Sequence, residues 1–152
     1  MAPDAAEAGG ELDAAEVLLR RYSPTNPSHV LHDQATGERF LNYAGLRFDV
    51  DGCSVYREPV LAADGRDRSA IVVDDVHIGI AESSVGAVRT FVHEHQDGTV
   101  APFDVVAAPL ESRPPEPADP AHALITKRPA AGLSNRQWDK ACVRLARQAF
   151  TL

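Results

Sequence analysis

The residues of this chain that come closest to a metal-binding arrangement are His93-Glu94-His95-Gln96-Asp97. On a strand, alternate side chains share a face, so His93 and His95 project together and Asp97 can add a carboxylate oxygen. No further ligand is identifiable, and His95 follows His93 by two residues rather than by the four of a helical H-E-x-x-H pair. A polar hairpin tip ahead of Asp97-Gly98 accounts for the same residues without a metal. His29, His32 and Asp33 form a second group, but three-residue spacing on a strand sends the two histidines to opposite faces. His77 stands in an apolar run, where a hydrogen-bonded core histidine is the simpler reading. Asp74-Asp75 offers two carboxylates to a hard cation, but the adjacent pair reads more simply as a turn at a strand end. Ser83 and Ser84 lack the glycines of a nucleophile elbow and suit a helix N-cap instead. Cys53 is a nucleophile only if the fold brings a base beside it. There is no glycine-rich phosphate loop, so dinucleotide and triphosphate chemistry lack support.

Two polar residues are placed differently. Arg57 follows Val55-Tyr56, and His122 precedes Ala123-Leu124-Ile125, each inside an apolar strand-like run. A buried arginine or histidine needs a partner, which is either another group of the fold or a ligand in a pocket. The internal partner is the favoured reading, and an anion pocket built on Arg57 and His122 is the functional one.

Charge points elsewhere. The formal net charge of −7 argues against a general nucleic-acid binder, which needs an excess of Lys and Arg. Residues 127–152 reverse the balance, with six basic side chains against one acid, Asp139. At about 100° per residue, Trp138, Ala141, Cys142, Leu145 and Ala149 form one apolar stripe of a terminal helix. Arg136, Lys140, Arg144 and Arg147 form a second stripe nearly opposite. That stripe is either a solvated face or a docking surface for an acidic partner or phosphate.

The elements that must carry these groups read as an α+β fold. The stretch 70–92 is the organising centre. Ile71, Val72, Val73, Val76, Ile78 and Ile80 predict a buried strand, then Val85, Val88 and Val92 a short helix. Asp13 with Glu16 predicts a first helix burying Leu12, Ala15, Leu19 and Tyr22, stopped by Ser23-Pro24-Thr25-Asn26-Pro27. His29–His32 and Arg39–Leu41 flank a turn at Thr36-Gly37. Leu46, Phe48 and Val50 alternate as a strand paired through Asp51-Gly52 with Cys53–Arg57. Phe103–Val106 and His122–Ile125 are further strands, and the last helix runs from a Ser134 cap to about Ala149. Residues 109–120 hold five prolines and predict an extended polyproline-like connector. The expected organisation is a disordered lead-in over 1–10 and one compact domain over 11–152. That domain is mainly antiparallel sheet with an N-terminal and a C-terminal helix.

Ser54-Val55-Tyr56-Arg57, Val76-His77-Ile78-Gly79-Ile80-Ala81 and Pro120-Ala121-His122-Ala123-Leu124-Ile125 together resemble short bacterial proteins of unknown function. The resemblance covers roughly residues 45–126. It implies one compact domain and assigns no chemistry. The 93–97 string is also similar to part of the H-x-H-x-D-H element of metallo-β-lactamase-like hydrolases, with Gly98 where the last histidine would stand.

Cys53 and Cys142 follow no metal or redox spacing. The first residues have neither the basic nor the apolar region of a signal peptide, and no run reaches the roughly 18 apolar residues of a membrane span. The expectation is a cytoplasmic protein with reduced thiols and no membrane contact. With no complete catalytic constellation visible, the sequence favours a small non-catalytic accessory subunit of a larger bacterial assembly. It would carry no cofactor and meet an acidic protein partner through Arg136, Lys140, Arg144 and Arg147. The alternative is a small metal-dependent hydrolase or nuclease built on His93, His95 and Asp97.

Overall fold

A computed structural model describes residues 12–129 and 132–152. The expected lead-in over 1–10 lies outside the described residues. The chain forms an α+β domain around a curled six-stranded sheet in the order β5-β1-β4-β8-β7-β6, antiparallel throughout. The strands are β1 (Val17–Tyr22), β4 (Cys53–Arg57), β5 (Gly79–Ser84), β6 (Val92–Glu94), β7 (Val100–Ala107) and β8 (His122–Lys127). β2 (Val30–His32) and β3 (Arg39–Leu41) form a separate hairpin around the expected turn. The helices are α1 (Tyr43–Leu46), α2 (Glu58–Ala63), α3 (Val85–Thr90) and α4 (Asn135–Ala149), with a 3-10 turn at Arg68–Ile71.

The sheet is buried on both faces. Leu18, Cys53, Val55, Phe103, Val105 and Ile125 pack with Ala141, Cys142, Leu145 and Ala146 of α4. On the other face Leu19 joins Val60, Leu61, Ile71 and Ala121 beneath α2 and the 3-10 turn. This double burial overturns the helix expected from Asp13 onwards. Leu18 and Leu19 are adjacent and both fully buried, in different clusters. A one-faced amphipathic helix does not bury neighbours on opposite sides, whereas a strand between two layers does. Asp13 closes a turn instead: its carboxylate accepts the Ala15 N–H at 2.9 Å and its carbonyl accepts the Glu16 N–H at 3.0 Å.

The centre at 70–92 also needs correction. The strand starts at Gly79, not in the Ile71–Val73 run, and Glu82-Ser83-Ser84 belongs to it. Val73, Val76 and Ile78 are 70%, 54% and 54% exposed. The Asp74 carboxylate accepts the Val76 and His77 N–H groups at 2.9 and 2.5 Å, folding the segment into a turn that no ladder can use. A Cβ at Gly79, where the strand begins, would stand 2.6 Å from the Tyr22 ring on β1, so any larger residue there forces that ring to shift. The helix after the strand is present as α3. The Ser84 side chain accepts the Ala87 N–H, and Val85 and Val88 are buried, while Val92 has already passed into β6.

Two smaller expectations, for residues 46–50 and for the proline-rich segment, change too. Residues 46–50 are not a strand: α1 ends at Leu46, a turn links Asp49 to Gly52, and β4 pairs with β1 and β8. Pro59 opens α2, where its missing N–H costs nothing. The proline-rich segment is not extended polyproline. It doubles back through paired backbone bonds between Leu110 and Asp119 and between Arg113 and Glu116. Among the described residues no helix is long and apolar enough to cross a membrane.

Candidate functional site, a cationic groove

The site is built outward from α4. Ser134 caps its first turn: the Ser134 Oγ accepts the Gln137 N–H at 3.2 Å, and the Gln137 Oε1 accepts the Ser134 N–H at 2.9 Å. Ala141, Cys142, Leu145 and Ala146 fix the inner face, and Trp138 meets Phe103 edge-to-face at 5.7 Å. Anchoring that face turns Arg136, Lys140, Arg144 and Arg147 to solvent as one exposed row. Among the described residues no carboxylate lies within salt-bridge distance of any of the four. Arg147 lies over the Phe40 ring, 4.6 Å from its centre. Several arginines elsewhere are paired with carboxylates, as Arg57 with Glu16, Arg68 with Glu58 and Glu82, and Arg89 with Asp104.

The row forms one wall of a groove of about 770 Å³. The opposite wall is the β6–β7 hairpin with His93, Glu94, His95, Gln96 and Asp97, and Leu31 and Val143 supply apolar surface. Two stretches that the sequence presents as unrelated, 93–97 and the basic stripe, are thus one site. Gln137 joins them, donating from Nε2 to Asp97 Oδ2 at 3.0 Å and to Thr99 Oγ1 at 3.3 Å. Sequence reasoning missed that clamp, although Ser134-x-x-Gln137 carries the capping-box spacing that would have marked the residue.

The groove is lined mainly by cationic and imidazole side chains. His93 and His95 meet edge-to-face at 4.5 Å. Burial, His95, Arg144 and Lys140, in that order, hold the His93 imidazole below its usual pKa and so favour its neutral form. Asp97 is held below the usual carboxylate range by hydrogen bonds from the Thr99 side chain and backbone, with Gln137 adding to them. Its oxygens are therefore engaged in the hairpin and the clamp. Among the described residues no group of three His, Cys, Asp or Glu side chains is placed to hold a metal ion.

Arg57 and His122 do not share a pocket. Arg57 sits on the α4 side of β4 and donates to both carboxylate oxygens of Glu16, at 2.8 Å each. His122 lies opposite Tyr56 in the ladder, so it occupies the other face of the sheet. Its Nδ1 is 2.7 Å from the Ala108 carbonyl and its Nε2 2.9 Å from Ser54 Oγ, which engages both ring nitrogens inside the fold. His122 borders a second cleft of about 820 Å³ with His29, His77 and Arg20. The Arg20 guanidinium there already donates to the Gly45 and Ser54 carbonyls. Burial pushes the Cys53 thiol up to about 12, which removes it as a nucleophile at neutral pH. No protein-family model matches the chain, and no curated protein or solved structure matches it either, so the groove's own geometry carries the functional argument.

Proposed function

We propose that this protein is a small non-catalytic interaction subunit that docks an acidic protein partner in the groove between α4 and the β6–β7 hairpin. The observation that carries this reading is the row Arg136, Lys140, Arg144 and Arg147, exposed and outside any salt bridge among the described residues in a chain of net charge −7. A fold rich in acids has carboxylates with which to neutralise its cations, and it does so at Arg57, Arg66, Arg68 and Arg89. Leaving four together on a rigid helix creates a local attractor of opposite sign to the molecule. A cytoplasmic location belongs to the same reading and is supported by the two unpaired, buried thiols.

Reversing two charges, Lys140→Glu with Arg144→Glu, tests it. Both positions are exposed, so the thermal midpoint should hardly move. The complex recovered from the protein's own cells should lose its partner, and the wild-type complex should weaken as salt rises. A folded double variant that keeps the same partner with unchanged affinity overturns the reading.

A further inference from the structure

The groove gathers cations of two kinds. One is the guanidinium and ammonium row of Arg136, Lys140, Arg144 and Arg147, and the other is the His93 imidazole, a cation only when protonated. Resting on the reading above, we propose that the occupant is an acidic polypeptide segment and that its docking draws a proton onto His93.

The partner class follows from the spacing and from what lies between the charges. Arg136, Lys140 and Arg144 recur every four residues, a step of about 6 Å along a helix. Carboxylates on alternate residues of an extended segment recur at about 6.6 Å, close to that step. Leu31 and Val143 are exposed in the same groove and give a polypeptide's intervening side chains something apolar to cover. A nucleic acid offers no such side chains, and the remainder of the molecule repels a polyanion.

The proton follows from what surrounds His93. From α4 it faces Lys140 and Arg144, with Arg136 and Arg147 farther along the row. From its own hairpin it meets His95, with Glu94 and Asp97 on the same wall. The β2–β3 hairpin contributes Leu31 to the groove, and its Asp33 acts on Arg147 at the far end. On their own, these cations and partial burial oppose an imidazolium. Carboxylates placed between Lys140, Arg144 and His93 reverse that balance. Linkage is reciprocal, so whatever favours the proton when the segment is bound makes protonation favour the segment. On the same wall Asp97 stands near His95, which is the last of the causes holding that carboxyl low. Glutamates of the partner stay almost fully ionised down to about pH 5.5, so their own titration does not produce the effect.

The experiment measures binding of a rhodamine-labelled peptide of alternating Glu and Ala by anisotropy, to the full chain at low salt. Between about pH 7.5 and about pH 5.5, wild-type affinity should rise roughly threefold or more. His93→Gln should bind with nearly flat pH dependence, and His95→Gln should keep most of the response. A rise that persists in His93→Gln overturns the proton linkage and leaves the docking reading intact. No wild-type binding at either pH, or equal binding by Lys140→Glu with Arg144→Glu, overturns the docking reading itself. An oligothymidylate of equal charge that binds more tightly than the peptide overturns the assignment to an acidic polypeptide.

Discussion

Gln137 uses both ends of its amide, accepting from the Ser134 N–H at Oε1 and donating to Asp97 and Thr99 from Nε2. Gln137→Ala removes half of the capping box and the clamp together, at a cost of about 1–2 kcal/mol in a urea titration. Hydrogen exchange should rise at residues 95–99 while the core strands stay protected; an unchanged hairpin means that the clamp holds nothing. A second residue-scale prediction concerns acid. Burial, His77 and Arg20 lower the His29 pKa, and the Ser23 N–H bond to its Nδ1 also requires that nitrogen unprotonated. His93 is lowered as well. When the folded pKa lies below the unfolded one, the unfolded chain binds more protons between the two values, so stability falls as pH drops through about 6.5. The urea midpoint should therefore be lower at about pH 5.5 than at about pH 7.5, and His29→Gln with His93→Gln should flatten the difference. A midpoint independent of pH over that window contradicts both shifts. At this scale the sequence shows that Arg57 and His122 need partners, because a polar group buried in an apolar strand without one is costly. It cannot name Glu16 or Ser54, which stand 41 and 68 residues away.

At the scale of elements, legibility depended on how local the stabilising interactions are. α4 is readable because its cap, its two stripes and its length all lie within residues 134–149. The 93–99 turn and the β2–β3 hairpin are readable for the same reason, with Gly98 and Gly37 at positive φ where the chain reverses. β1 is not legible as a strand, because its leucines are divided between two layers that only the tertiary structure supplies. Residues 71–78 were misread because apolar content outweighed the turn-forming Asp74. The correction is measurable by contrast. Leu145→Ala should cost on the order of 2–5 kcal/mol, as a fully buried leucine on the α4 face. Ile78→Ala, half exposed in the turn, should stay within about 0.5 kcal/mol. Equal losses at the two positions would restore the buried strand expected from the sequence and refute the observed register.

For the whole molecule, docking on the cationic row as proposed needs α4 to stay seated, because a row of charges binds without an ordering cost only if it is already ordered. The two cysteines report on this. Cys53 lies on β4 in the middle of the sheet and Cys142 on the inner face of α4, both fully buried in one cluster. Burial raises the Cys53 thiol to about 12 and the Cys142 thiol to about 11, so neither reacts from the closed state at neutral pH. Labelling by N-ethylmaleimide therefore measures opening. If α4 and the sheet open only together, the two thiols should label at rates within about twofold of each other, and urea should speed both in parallel with global unfolding. If α4 lifts away by itself, Cys142 should label well ahead of Cys53 and with a weaker urea dependence, since less surface is exposed. Mass spectrometry of peptides carrying each cysteine, after a series of labelling times, separates the two outcomes. Coincident rates are expected. Early Cys142 labelling would mean that the cationic row rides on a detachable helix, and the groove would then have to be assembled by its partner.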